Sequence, residues 1–210
     1  MGQDGHARFD GATARPGAYR GVLSEIWRAV CAAYLKISGW KIKGDWPRQF
    51  PKMVLVAAPH TSNWDGVNML AAAGYYRIPL KWMGKKELVE GPFGGIVRRL
   101  GCVPVDRKGG SDLVRQMREA FEAAEQMALA IPPEGTRSAV KEWKTGFYHI
   151  ALAAGVPLVM SVLDYGAKTI SISGALTPSG DYASDLVKIK SHYDRAKGLY
   201  PDEKVKGAKR

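Results

Sequence analysis

The 210-residue sequence contains no continuous run of about 18 apolar residues, so no transmembrane helix is expected. The first 20 residues lack the apolar segment of a secretory signal peptide, and we expect no such signal. Cysteine is scarce, because Cys31 and Cys102 are the only two in the chain. Neither has the paired spacing of a metal knuckle or of a disulfide framework. We therefore predict two reduced core thiols in a reducing compartment.

Metal-ligand spacing is also missing from the sequence. His60 and Asp65 have no third ligand nearby, and neither His149 nor His192 belongs to a cluster with metal-ligand spacing. A protein zinc site needs at least three such ligands. The sequence predicts no metal and no cofactor.

Negative charge is in short supply, since 31 Lys and Arg face 20 Asp and Glu for a formal net charge of +11. This excess favours anionic partners, which include nucleic acid, anionic lipid and phosphate-bearing substrates. Aromatic residues are not interleaved with Lys and Arg in the pattern of a nucleic-acid-binding module, so we expect no nucleic-acid partner. With 46% hydrophobic residues, the chain can form a folded domain with a substantial core.

The ends of the chain differ from its middle. Residues 1–20 are rich in Gly and predict a flexible leader, and residues 201–210 predict a charged tail. Residues 21–46 combine an amphipathic helix over 22–37 with a turn in which Trp and Lys alternate, a composition that suits a membrane interface. The alternative is a helix packed on its own domain and followed by a short hairpin. Residues 47–200 form the predicted main domain.

Short apolar segments alternate with helical patterns through that domain. Strands are predicted at 53–58, 80–83, 102–105, 127–131, 156–163 and 169–173, and helices at 64–76, 93–100, 113–124, 147–154 and 182–196. This alternation predicts a single α/β domain with a largely parallel central sheet flanked by helices. Binding sites in such sheets gather at the carboxyl ends of the strands.

The candidate catalytic pair is His60 and Asp65, in an H-x4-D pattern that follows the predicted strand 53–58. Positions i and i+5 of one helix do not share a face, but a loop running into a helix start can bring the two side chains together. Ser62 or Asn63 can cap that helix, with Asp65 in its first turn. A carboxylate on one imidazole nitrogen fixes the tautomer, and the other nitrogen can then accept a proton from a hydroxyl.

Cationic residues follow other predicted strands. Lys85 and Lys86 come after the strand at 80–83, and Arg107 ends the segment 101–107. An arginine in such a position can bind a phosphate through two parallel hydrogen bonds. These residues are candidates for holding an anionic substrate, and the alternative is that they are surface charges in loops.

A third motif, Pro-Pro-Glu-Gly-Thr-Arg-Ser at 132–138, follows the predicted strand at 127–131. The prolines make a rigid exit from that strand, and Gly135 allows the backbone to approach a ligand closely. Arg137 can pair with an anion, and Glu134 can orient a hydroxyl or the arginine. The structural alternative is a tight turn with a satisfied ion pair.

Together, these motifs resemble the 1-acyl-glycerol-3-phosphate acyltransferase family, also called the phospholipid/glycerol acyltransferases. The resemblance rests on their order and spacing over about residues 40–163: PHTSNWD at 59–65, KKEL at 85–88, GCVPVDR at 101–107, PEGTRS at 133–138 and GVPLV at 155–159. It implies a glycerol-3-phosphate acyltransferase-like fold. It also implies an enzyme that transfers an acyl group from a thioester to a lipid hydroxyl without an acyl-enzyme step.

The resemblance implies that His60 is the general base and that Asp65 is its partner. Arg107 and Arg137, aided by Lys85 or Lys86, would hold the acceptor phosphate. The segment around Pro157 is associated with the acyl-binding side in this family. The implied substrate-binding residues are Lys85, Lys86, Arg107, Glu134, Gly135, Thr136 and Arg137.

The resemblance implies acyl-CoA or acyl carrier protein as the acyl donor, a co-substrate and not a cofactor. The implied acceptor is 1-acyl-glycerol-3-phosphate or a related lysolipid. Pro59 stands where the family often has Asn, and Trp64 directly precedes Asp65. These departures leave another lysolipid or an amino-acid-based lipid open as acceptor. We expect peripheral association with the cytoplasmic face of the inner membrane, through the helix at 22–37 and the Lys/Arg surface.

Two other functions stay open on the sequence. One is a His/Asp-dependent hydrolase of lipids or thioesters, with Ser62 as the nearest nucleophile, although the chain has no Gly-x-Ser-x-Gly elbow. The other is a basic, non-catalytic membrane-binding module. Product analysis with and without an acceptor alcohol separates the hydrolase from the transferase. Salt-dependent binding to anionic vesicles without thioester consumption would favour the membrane-binding module.

Overall fold

The computed structural model describes residues 21–105, 110–138 and 140–200. The predicted leader at 1–20, the predicted tail at 201–210 and the candidate Arg107 lie outside the described residues. Among the residues described, no helix is both long enough and apolar enough to cross a membrane.

The described residues form seven helices and seven strands. The helices are α1 (Val22–Ile37), α2 (Trp64–Tyr76), α3 (Lys86–Glu90), α4 (Gly94–Arg99), α5 (Gly110–Ala123), α6 (Gly146–Ala154) and α7 (Tyr182–Ser191). The strands are β1 (Lys41–Lys43), β2 (Lys52–Ala58), β3 (Leu80–Lys85), β4 (Cys102–Val105), β5 (Met127–Ile131), β6 (Leu158–Asp164) and β7 (Thr169–Leu176).

The strands form one sheet in the order β1-β7-β6-β2-β5-β3-β4. The five strands from β2 to β6 are parallel to one another, whereas β7 pairs antiparallel with β6 and β1 pairs parallel with β7. The predicted single α/β domain with a largely parallel sheet is therefore confirmed. Since β2 lies between β5 and β6 and is parallel to both, the carboxyl ends of these three strands meet at one edge of the sheet.

Apolar residues of β2 alternate between the two faces of the sheet, as the period of a strand requires. Val54 and Val56 contact a cluster that includes Phe121 of α5 and Phe147 of α6. Met53 and Leu55 contact the opposite cluster, which includes Ala73 of α2. The continuous apolar run of β2 is thus explained by helices on both faces.

Helix α1 packs on α2 through one narrow side. Cys31 and Leu35 are buried there, and the α2 backbone comes so close at Gly74 that a β-carbon at that position would overlap the Cys31 Sγ. This approach requires glycine in the last turn of α2, where the residue is otherwise unfavourable. Six large apolar side chains of α1 are exposed: Val22, Leu23, Ile26, Trp27, Val30 and Ile37.

The structure differs from the sequence interpretation at three places. The short hairpin considered as an alternative for the segment after α1 is not present, because Lys41 to Lys43 pair with Thr169 to Ser171 of β7. The buried Trp40 packs with Leu163 and Ile170 and directs this segment to the edge of the sheet. Helix α3 was not predicted, since five residues are too few to show a helical period. Helix α7 ends at Ser191, five residues before the predicted end.

Candidate active site

The imidazole of His60 and the carboxylate of Asp65 are in contact at the carboxyl end of β2. His60 lies in the loop after β2, and Asp65 is the second residue of α2. The distance from His60 Nδ1 to Asp65 Oδ2 is 3.1 Å. The loop therefore produces the contact that the H-x4-D spacing was expected to allow. Because Nδ1 is engaged by the carboxylate, Nε2 is the nitrogen available to a substrate.

The Asp65 side chain is 5% exposed and receives four hydrogen bonds. The Thr61 and Ser62 amides donate to its Oδ2 at 2.6 and 2.8 Å, and the Tyr165 hydroxyl donates to Oδ1 at 2.7 Å. Burial acts to raise the pKa of this carboxyl, but the hydrogen bonds from His60, Tyr165, Ser62 and Thr61 outweigh it and lower the pKa below its ordinary value. Asp65 is therefore a carboxylate at neutral pH.

Glu134 holds the main chain of the histidine rather than its ring. The His60 amide donates to Glu134 Oε1 at 3.1 Å, and Glu134 is 2% exposed. This bond ties the loop after β2 to the loop after β5. The motif that contains Glu134 led to its prediction as a substrate-binding residue. Glu134 does not line the adjacent cavity in the structure.

The predicted helix cap takes a different form. Asn63 occupies the N-cap position of α2, but its side chain makes no capping hydrogen bond. Its amide oxygen instead accepts a hydrogen bond from the Arg137 guanidinium. The Ser62 hydroxyl accepts from the Trp64 amide at 3.1 Å, which satisfies one donor of the first turn. Arg137 is thereby held beside the loop that follows β2.

Four of the predicted substrate-binding residues line one cavity with His60 and Asp65. These are Lys85, Gly135, Thr136 and Arg137. Lys86 does not line it, because it begins α3 and approaches Glu90 at 3.8 Å, one helical turn later. The predicted Arg107 lies outside the described residues.

Lys144 is a further cation of this site that the sequence analysis missed. It lines the same cavity and its amide donates to the Pro133 carbonyl at 2.8 Å. The aliphatic part of its side chain lies over Gly135. The available signal was its place in the connection between β5 and α6, which also carries Gly135, but spacing alone did not relate the two residues.

The cavity has a volume of about 960 Å³, at the upper end of the range for small-molecule sites. It extends from the polar groups at the strand ends into the space between α2 and the sheet. Its inner walls are mostly apolar and include Leu55, Met69, Leu70, Tyr76, Ile78, Leu80, Trp82 and Ile172. One end of the site is thus cationic and carries the His–Asp pair, whereas the rest is suited to a hydrocarbon chain.

Comparison with known proteins agrees with this arrangement. A sequence profile for the family described as Acyltransferase matches residues 42–163, which contain His60, Asp65 and the cationic residues of the cavity. The chain belongs to this acyltransferase family. The predicted family resemblance is therefore confirmed.

Relatives of this acyltransferase-family chain include two bacterial proteins. The probable 1-acyl-sn-glycerol-3-phosphate acyltransferase of Mycoplasma pneumoniae is 34% identical over 65% of this chain and 54% of its own length. The 1-acyl-sn-glycerol-3-phosphate acyltransferase of Escherichia coli K12 is 33% identical over 49% of this chain and 43% of its own length. The chain thus spans about half the length of the curated relatives it matches.

A solved structure shares the fold. The 1-acyl-sn-glycerophosphate acyltransferase PlsC from Thermotoga maritima superposes with a TM-score of 0.55 at 17% identity. The match covers 84% of this chain and 82% of that protein. It supports the α/β architecture from which the site above is built.

Proposed function

We propose that this chain transfers a fatty acyl group from acyl-CoA or acyl carrier protein to the hydroxyl of a lysophospholipid-type acceptor. The acceptor is 1-acyl-glycerol-3-phosphate or a related lysolipid. The observation that carries the proposal is the 3.1 Å contact between His60 Nδ1 and Asp65 Oδ2 at the mouth of a largely apolar cavity. The two relatives are named as 1-acyl-sn-glycerol-3-phosphate acyltransferases, one of them as probable, which is consistent with this chemistry.

In the proposed reaction, His60 Nε2 removes the proton of the acceptor hydroxyl as the oxygen attacks the thioester carbonyl carbon. The new C–O bond forms, the C–S bond breaks, and the leaving thiolate takes the proton from the imidazolium. Asp65 stabilises that imidazolium through Nδ1 and keeps the ring in the productive orientation. The imidazole therefore gives up the proton that it took, and His60 is neutral again at the end of one turnover.

The apolar part of the cavity supports a fatty acyl substrate. Each methylene group that leaves water contributes about 0.8 kcal/mol to binding. Leu80, Trp82 and Ile172 are among the side chains that would contact the hydrocarbon. The proposed site therefore gains affinity from chain length as well as from the polar end of the substrate.

The cationic end of the cavity supports a phosphate-bearing acceptor. Arg137, Lys85 and Lys144 line the same space as His60. The Asn63 contact holds the Arg137 guanidinium in a defined position, and a fixed guanidinium binds phosphate with less loss of side-chain entropy. This arrangement would orient the acceptor so that its free hydroxyl faces the imidazole.

Transfer is favoured over hydrolysis by the position of Ser62. This residue is 7% exposed, and its hydroxyl accepts a hydrogen bond from the Trp64 amide. The carboxylate of Asp65, not a serine hydroxyl, faces the imidazole. A mechanism that uses Ser62 as nucleophile would first have to move it out of this buried turn.

We further propose that the chain associates peripherally with the cytoplasmic face of the inner membrane. The exposed side of α1 supports this location, since each of its large apolar residues is at least 45% exposed: Val22, Leu23, Ile26, Trp27, Val30 and Ile37. Exposed apolar groups in such number are unusual for a surface that faces only water. The net charge of +11 favours a bilayer that contains anionic lipid.

The transfer proposal is tested with the purified chain, an acyl-CoA or an acyl carrier protein thioester, and 1-acyl-glycerol-3-phosphate. Thiol release is followed with and without the acceptor, and the lipid product is identified by mass spectrometry. We expect thiol release that depends on the acceptor and a diacylated product. Equal thiol release without acceptor would instead indicate a hydrolase, and vesicle binding without thioester consumption would indicate a non-catalytic module.

The membrane proposal is tested by sedimentation with vesicles of neutral and of anionic lipid. Combined substitution of Leu23, Ile26 and Val30 by serine should strongly reduce the bound fraction. Val187→Ser is the matched control, because Val187 is 72% exposed on α7, a helix on the opposite face of the sheet. Unchanged binding of the triple variant, or an equal loss in the control, would contradict docking through α1.

A further inference from the structure

A series of side-chain hydrogen bonds leads from α1 to the carboxylate of the catalytic pair. The Tyr34 hydroxyl of α1 donates to Asn68 Oδ1 at 3.0 Å, and Asn68 Nδ2 of α2 donates to the Tyr165 hydroxyl at 3.1 Å. The Tyr165 hydroxyl then donates to Asp65 Oδ1 at 2.7 Å. Three elements of the fold thereby converge on one carboxylate.

These hydrogen bonds have a single direction. The Asn68 amide nitrogen only donates, so the Tyr165 oxygen accepts there and must direct its one proton to Asp65. The Tyr34 hydroxyl in turn engages Asn68 Oδ1, which fixes the orientation of the amide. Every donor in the series therefore points towards the Asp65 carboxylate.

The surroundings of Tyr165 keep it a donor. Burial and the neighbouring Asp65 carboxylate both raise the pKa of its phenol, so the hydroxyl keeps its proton across the pH range of the enzyme. The ring of Trp40 contacts the Tyr165 ring edge-on with centroids 4.9 Å apart. Asn68 is 2% exposed, so water does not readily replace it as the partner of the phenol.

We propose that Tyr165 and Asn68 are positioning residues for the catalytic pair. A carboxylate turns readily about its last side-chain bond, which has only broad minima. Tyr165 holds Oδ1, so that Oδ2 stays directed at His60 Nδ1 and at the Thr61 and Ser62 amides. Neither Tyr165 nor Asn68 lines the substrate cavity, so both would act through Asp65 and not on the substrate. This role rests on the proposed acyl transfer.

The test is Tyr165→Phe, which removes the hydroxyl and keeps the ring. We expect kcat to fall roughly tenfold, the scale of one lost hydrogen bond to a charged group, with the KM values of both substrates unchanged within about twofold. This split is expected because the lost contact orients the base and does not touch the substrate. Asn68→Leu should lower kcat in the same direction by a smaller factor and provides a second variant if Tyr165→Phe does not fold.

Tyr148→Phe is the matched control. The Tyr148 hydroxyl donates to the buried Asp185 carboxylate at 2.8 Å and accepts from the Gly180 amide at 2.9 Å, so it has the same chemistry away from His60. We expect it to lower thermal stability and to leave kcat within twofold of the parent. An equal loss of kcat in the control, or a parent-like kcat in Tyr165→Phe, would overturn the positioning role.

A second readout needs no substrate. The Nδ1 proton of His60 is observed by NMR in 15N-labelled protein, and we expect its resonance to shift or broaden in Tyr165→Phe but not in Tyr148→Phe. An unchanged resonance in Tyr165→Phe would overturn the inference even if the parent is active. If the parent transfers no acyl group, the proposed function fails, while this resonance still decides whether Tyr165 holds the pair.

Discussion

Gly135 lies directly beneath the side chain of Lys144, so that a β-carbon at position 135 would stand 2.7 Å from Lys144 Cδ and 3.1 Å from its Nζ. Gly135 also has a φ of 63°, in the left-handed region that other residues rarely adopt. The left-handed φ requires glycine in the motif. The close approach of the two residues sets where the Lys144 ammonium stands in the cavity.

Gly135→Ala should therefore weaken binding of an anionic acceptor, because the new methyl group displaces the flexible end of Lys144. Left-handed backbone costs a residue with a β-carbon about 1 kcal/mol, so thermal stability should fall by a few degrees as well. Gly155→Ala separates the two effects, since Gly155 has the same φ of 63° and nothing within 4 Å of the added carbon. We expect equal losses of stability in both variants and a several-fold higher acceptor KM in Gly135→Ala alone. Equal KM values would remove Lys144 from the acceptor site.

His60→Ala should lower turnover by about two to four orders of magnitude, which is the usual contribution of a general base. The comparison is His149→Ala, because His149 is exposed on α6 and does not line the cavity. Turnover is measured as acceptor-dependent thiol release at saturating substrates. A rate for His60→Ala within about threefold of the parent would exclude the imidazole from the mechanism.

Asp65→Asn should reduce stability in a way that depends on pH. The folded protein lowers the pKa of Asp65 below the value of about 3.9 for an unfolded chain. The stabilisation by the carboxylate is therefore complete above about pH 4 and is lost as the pH falls through the folded pKa. Urea unfolding of parent and variant at neutral pH and at several acidic pH values should show the difference in free energy shrinking towards low pH. A difference that stays constant over this range would contradict the assignment of Asp65 as a hydrogen-bonded carboxylate.

The sequence predicted well those features that depend on local pattern. The bounds of α1 and α2 follow from their helical periods and match the structure at both ends. Apolar runs located β4 and β5 in the same way. The rule that sites gather at strand ends also relates His60, Lys85 and Arg137 from the sequence alone, and all three line one cavity.

Features that depend on long-range contact were not predictable in this way. Tyr165 lies 100 positions from Asp65 and Asn68 lies 97 positions from Tyr165, and neither pair shares a recognisable motif. The pairing of β1 with β7 depends on the burial of Trp40, which a three-residue strand cannot reveal. Tyr165 does directly follow β6, so the strand-end rule marks its position, but not its partner.

Arg137→Ala should raise the KM for a phosphate-bearing acceptor by roughly tenfold or more, because a charge-assisted hydrogen bond to phosphate contributes about 1.5 to 3 kcal/mol. The loss should be much smaller with an acceptor of the same chain length that lacks the phosphate. Arg118→Ala is the control, since Arg118 is an exposed residue of α5 outside the cavity and its removal changes the net charge by the same amount. If Arg137→Ala affects both acceptors equally, its role is to hold Asn63 and the catalytic loop. If it affects neither, the acceptor carries no phosphate near this guanidinium, and the amino-acid-based lipids become the class to assay next.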